Sequence, residues 1–83
     1  MDRQTKVRKK REENKFLQAE EIIAFRKITG LSQIDAAKLF GGGVRAFYKY
    51  EKEEQCQNKP LDILMRLILR DKISLDDIRS LKE

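Results

Sequence analysis

Apolar residues along this chain recur at helical spacing, in short blocks cut apart by glycine, proline or charge. The first block predicts a helix over 19–29. Ile22, Phe25 and Thr29 share one face, Glu20 and Glu21 suit its first turn, and Gly30 is placed to end it. Ser32 then reads as the N-cap of a second helix, with Asp35 as capping-box partner. Ala36, Ala37, Leu39 and Phe40 form its inner side, and the helix ends near Phe40. A third helix is predicted from Val44 to Lys52, and a fourth from Pro60 to about Arg70 with Leu61, Leu64, Met65, Leu67 and Ile68 facing the core. Ser74 opens a fifth, in which Asp77 completes a capping box and Ile73 is placed to staple onto Ile78. No strand alternation or internal repeat competes. The pattern predicts an all-α domain of five short helices over residues 16–83. Residues 1–15, with Val7 alone among charges, are expected to form a frayed helix, a mobile basic arm or a linker.

The third helix is divided sharply. At about 100° per residue, Val44, Arg45, Tyr48, Lys49 and Lys52 fall on one side, while Ala46, Phe47 and Tyr50 fall on the other. One face is therefore small or aromatic, and the opposite one carries three cations, a phenol and an isopropyl group. Between the second and third helices lies Gly41-Gly42-Gly43. A phosphate cradle is excluded, because no GK[ST] follows and no strand precedes. As a turn, Gly41 is expected to end helix two in the left-handed conformation, Gly42 to allow the bend, and Gly43 to cap helix three. Two short helices joined by a glycine turn, the second basic outside, have the form of a helix-turn-helix unit.

Composition removes the rival chemistries. The chain has no His and one cysteine, Cys56, so a Cys/His zinc site cannot be assembled and no metal or other cofactor is expected. The commonest general base is absent, and no nucleophile has an imidazole partner. The adjacent pairs Glu20–Glu21, Glu53–Glu54 and Asp76–Asp77 point about 100° apart on a helix and read as solvated helix-end charges. The chain is not expected to be an enzyme. No apolar stretch approaches the roughly 18–20 residues of a bilayer span, which favours a cytoplasmic protein. The net charge of +5 is uneven: residues 1–15 hold seven Lys/Arg against three Asp/Glu, leaving twelve against eleven elsewhere. DNA affinity in the body must therefore come from where the charges sit.

Leu31-Ser32-Gln33, Ala36-Ala37, Phe40-Gly41 and Tyr50-Glu51 resemble the signature of the lambdoid phage repressor/Cro-like (XRE) helix-turn-helix superfamily. More narrowly, FGGGVRAFYKYEK followed by KPLDILMRLI is similar to the C-terminal DNA-binding half of MqsA/YgiT-type antitoxins, over about 16–68. The resemblance implies a lambda-repressor-like domain. It also implies that Gln33 contacts the DNA backbone and braces the base readers, and that Val44, Arg45 and Lys49 touch base edges or flanking phosphates. Arg26 and Glu51 fall where the superfamily places a partly buried ion pair between its first and third helices. The chain departs from the family at Arg45, commonly Asn, and at Lys49, commonly Arg, so the target sequence does not transfer. It also lacks the four-cysteine zinc domain through which such antitoxins bind toxin.

The expected function is thus a sequence-specific transcriptional regulator, an antitoxin-type repressor of bacterial or phage origin. It would bind a palindromic operator on double-stranded DNA as a homodimer. Gln33, Gly43, Val44, Arg45, Tyr48, Lys49 and Lys52 are the candidate contacts, and Arg45 has the option of guanine O6/N7. The dimer contact is expected from Ile63, Leu69, Ile73, Leu75 and Leu81. A cognate toxin is expected to bind through a segment outside these residues. The alternatives are a phage Cro-like repressor outside any toxin system and a protein-interaction adaptor that has kept the fold.

Overall fold

The computed structural model describes residues 3–82. Regular structure within them is all helical: α1 (Arg3–Asn14), α2 (Ala19–Thr29), α3 (Gln33–Phe40), α4 (Ala46–Glu51), α5 (Lys59–Leu69) and α6 (Leu75–Lys82). The expectation of five helices is corrected to six. Positions 1, 2 and 83, at the outer ends of the two expected segments, lie outside the described residues.

Local chemistry explains most of the boundaries. The Gln18 backbone N–H donates to Glu21 Oε1 at 2.9 Å at the head of α2, and Gly30, at φ 75°, closes its tail. Ser32 Oγ accepts from the Asp35 N–H at 3.0 Å and starts α3. α5 begins one residue before Pro60, because Asn58 Oδ1 accepts from the Leu61 N–H at 2.9 Å. Ser74 and Asp77 cap α6 reciprocally: Ser74 N–H to Asp77 Oδ2 at 2.9 Å, and Asp77 N–H to Ser74 Oγ at 3.2 Å.

The core is built around α4, which packs on α2 and α3. Ile22, Phe25, Ala36, Phe47 and Met65 are fully buried, joined by Leu17, Leu31, Ala37, Ala46, Tyr50 and Leu61. Aromatic rings run through it from helix to helix. Phe25 meets Phe40 at 5.9 Å, Phe40 meets Phe47 at 6.1 Å, and Phe47 meets Tyr50 edge-on at 5.3 Å. Pairs at such separations add about 0.5–1.5 kcal/mol each beyond area burial. Alanines at 36, 37 and 46 let the three backbones approach closely.

Residues 3–15 are not a free arm. Arg3–Asn14 is helical, Val7 is buried, and Arg11 is wholly enclosed. Arg11 Nε donates to Gln57 Oε1 at 3.0 Å, and its Nη2 donates to the carbonyls of Tyr50 at 2.8 Å and Gln55 at 3.3 Å. Gln57 in turn donates through Nε2 to Leu17 O at 2.9 Å and Asp62 Oδ1 at 3.0 Å. Asp62, also buried, accepts the Leu17 N–H at 2.8 Å and Arg66 Nε at 2.9 Å. Arg8 adds ion pairs to Glu20 and, at 2.6 Å, to Glu53. What orders α1 is a polar network with partners 39 to 46 residues away, not an apolar stripe, so the local pattern suggests no more than a frayed helix or a mobile arm.

Candidate nucleic-acid interface

The connection between α3 and α4 holds three consecutive glycines at φ 90–95°. Gly41 ends α3 at φ 90°, ψ −173°, an extended mirror-image conformation, and not in the left-handed helical one expected for it. At Gly42 a Cβ would lie 3.1 Å from Ala46 Cβ and 3.3 Å from Tyr50 Oη, so the bend and a close approach coincide there. Gly43 does not cap the next helix. Its positive φ lies outside the extended region an N-cap adopts, so Val44 and Arg45 form a turn first and Arg45 becomes the cap of a six-residue α4. The helix predicted from Val44 is shortened to Ala46–Glu51 for that reason.

The inner side of α4 is Ala46, Phe47 and Tyr50, all buried. On the other side stand Val44, 64 % exposed, with Arg45 and Lys52 also exposed and Tyr48 and Lys49 half-buried. The Arg45 guanidinium lies over the Tyr48 ring, 5.0 Å from its centroid, and Lys52 Nζ lies 5.9 Å from the same centroid. Gly43 is exposed at the head of this surface. The structure thus brings Gly43, Val44, Arg45, Tyr48, Lys49 and Lys52 to a single segment, with no acidic side chain between 43 and 50 to oppose the cations.

Behind that surface, Arg26 on α2 meets Glu51 at the end of α4 in a two-pronged pair, Nε to Oε2 at 2.5 Å and Nη2 to Oε1 at 2.8 Å. Hydrogen bonding to the carboxylate raises the guanidinium pKa above its ordinary value, against an opposing effect of burial. Arg26 Nη1 also donates to Leu31 O at 3.2 Å, so one side chain ties α2, the α2–α3 connection and α4 together. Gln33, expected on the DNA side, turns its amide inward and donates to Glu51 Oε1 at 3.2 Å.

Sequence reasoning missed Arg11, whose Nη2 holds the Tyr50 carbonyl in the last turn of α4 and so places a cation where the helix dipole favours one. The available signal was the i, i+4 spacing of Val7 and Arg11 on an otherwise charged helix. Among the described residues no group of three His, Cys, Asp or Glu side chains is arranged to hold a metal ion. Nor is any helix among them long and apolar enough to cross a membrane.

Residues 1–79 match the family described as the antitoxin component of bacterial toxin-antitoxin systems, MqsA. The chain belongs to that family. The match spans the α3–glycine–α4 segment, the Arg26–Glu51 pair and α1, so the helix anchored by Arg11 lies inside the MqsA-family region. No curated protein matches this MqsA-family chain.

Proposed function

We propose that this MqsA-family chain is a DNA-binding transcriptional repressor of the antitoxin type, reading a palindromic operator through α3 and α4 as a lambda-repressor-like helix-turn-helix. The observation that carries the reading is the outer surface of the α4 segment. Val44 and Arg45 stand clear of the body at its head, Tyr48 and Lys49 follow, and Lys52 continues the cationic side. An α-helix fits the major groove, where cations, a phenol and an isopropyl group have base edges and phosphates to meet. Arg26, Glu51 and Gln33 act from behind, fixing the tilt of the reading helix against α2 and α3.

A homodimer would place two α4 segments in successive major grooves about 34 Å apart. Ile63, Leu69 and Leu81, at 45 %, 37 % and 84 % exposed, supply apolar surface on α5 and α6 for the contact between copies. Ile73 and Leu75 are half-buried, and Leu75 packs against the monomer core, so these two serve the fold first. Repression follows from occupying promoter DNA, and no cofactor or catalytic step enters. The cognate partner of such an antitoxin is a toxin.

The test is fluorescence anisotropy on a duplex carrying the chain's own promoter region, over a salt series. Specific binding should weaken by orders of magnitude between about 50 and 200 mM salt. The double substitution Arg45→Ala, Lys49→Ala should abolish it with helical circular dichroism unchanged. Unchanged affinity in that variant defeats the site assignment.

A further inference from the structure

The surface of α4 contains a relationship that a count of its cations does not convey. Two of them, Arg45 from the turn before and Lys52 from the turn after, converge on one aromatic ring, that of Tyr48. Like charges at this spacing repel one another. The electron-rich face between them offsets that repulsion and gives each a preferred place. The Arg45 guanidinium makes no hydrogen bond or ion pair to any other described residue, so the ring is what orders it.

We propose that Tyr48 is a positioning residue, holding the Arg45 guanidinium over its ring so that the N–H donors are ready for a guanine in the major groove. This assignment rests on the DNA-binding reading above. The guanidinium is planar. Contact with the ring takes up none of its N–H donors, which lie in the plane and point outward from the rim. That is the geometry a bidentate contact to guanine O6 and N7 demands. An arginine left free must give up its rotamer freedom on binding, and it reaches phosphates as readily as bases. One already held over a ring has lost part of that freedom in the unbound protein, which favours the contact needing an accurately placed fork over the one that does not. Tyr48 itself need not touch a base. Its contribution is the orientation of its neighbour, and the ring, not the hydroxyl, supplies it.

The experiment is selection of binding sites by the full chain from a pool of randomised duplexes. Competition then follows between the selected duplex and the same duplex with its guanine pair replaced by an adenine pair. The wild type should enrich an invariant guanine in each half-site and prefer it by about tenfold or more. Tyr48→Phe, which keeps the ring, should retain that ratio. Tyr48→Ala and Tyr48→Leu should lower it to below about threefold, with helical circular dichroism unchanged. A guanine preference that survives both Tyr48→Ala and Tyr48→Leu overturns the assignment. So does a loss in Tyr48→Phe equal to that in Tyr48→Ala, or an equal weakening toward both duplexes, which would mark Arg45 as a phosphate contact. A wild type that binds DNA yet enriches no sequence overturns this assignment and the operator reading together.

Discussion

Arg11 and Gln57, 46 residues apart in sequence, meet in the interior at 3.0 Å, a guanidinium against a neutral side-chain amide. Among the described residues, the fully enclosed Arg11 donates only to uncharged oxygens, and its Nη1 has no acceptor. A buried cation with neutral partners is tolerated only where its removal would cost more, and here it closes the gap between α1, the end of α4 and the α4–α5 connection.

Replacing Arg11 by Met, which approximates its length without its donors, should therefore be strongly destabilising. Gln57 Oε1 would lose its guanidinium donor in the interior, at about 1–3 kcal/mol if left unsatisfied, while Tyr50 O keeps the Glu53 N–H and Gln55 O lies nearer the surface. A loss of at least about 2 kcal/mol should lower the melting temperature by roughly 10 °C. Arg11→Lys should not restore it, because a single ammonium cannot span the forked set of acceptors. Thermal unfolding followed by circular dichroism measures both. A variant melting within a few degrees of wild type would show that α1 contributes little to the fold.

The Arg26–Glu51 pair makes a separate demand on stability. Glu51 keeps 6 % of its side-chain exposure and Arg26 18 %, so the pair is largely but not wholly desolvated. Glu51→Gln should cost about 3 kcal/mol, the low end for a broken buried pair, because water can still reach the arginine. A double-mutant cycle with Arg26→Met should return most of that as coupling energy. Additive losses would mean that the two residues act independently, whatever their separation.

Gly42 is the one position of the glycine turn where a side chain would meet close neighbours as well as an unfavourable backbone conformation. Gly42→Ala would force a non-glycine residue to φ 95° and bring its methyl against Ala46 and the Tyr50 hydroxyl. A loss of about 1–3 kcal/mol is expected from the backbone alone, read as a lower urea midpoint. Gly43→Ala, with φ 94° but no neighbour within 4 Å, should cost less. Equal losses at the two sites would remove the steric part of the explanation.

What could be read from the sequence divides along the same physical line. The bounds of α2, the Ser32 cap and the Ser74–Asp77 capping box depend on residues within four positions of one another, and periodicity with cap chemistry finds them. α1 depends on Arg11 reaching Tyr50, Gln55 and Gln57, and no local pattern encodes that. In the α4 segment, 100° spacing separates Phe47 and Tyr50 from Arg45 and Lys52, as burial does. The placement of Arg45 over the Tyr48 ring and the inward turn of Gln33 depend on side-chain rotamers, which spacing does not fix.

The Tyr50 phenol gives the fold a pH dependence whose direction is set by its surroundings. Burial is the main cause that raises its pKa above the ordinary 10.0, with Cys56 adding and Arg11 opposing. The folded state therefore keeps the proton to higher pH than the unfolded chain does. Below about pH 10 neither state has lost it, and the full stability is present. Above that the unfolded chain ionises first, and stability falls by up to about 1.4 kcal/mol per pH unit until the folded phenol ionises as well. Lysines titrate in the same range, so the comparison must be with Tyr50→Phe, which keeps the ring against Phe47 and removes the ionisable group. Urea midpoints taken from pH 8 to 11.5 should fall more steeply in the wild type than in Tyr50→Phe. Parallel curves would mean that the phenol is as free to ionise in the folded protein as in water, and that Tyr50 is not closed off beneath α4.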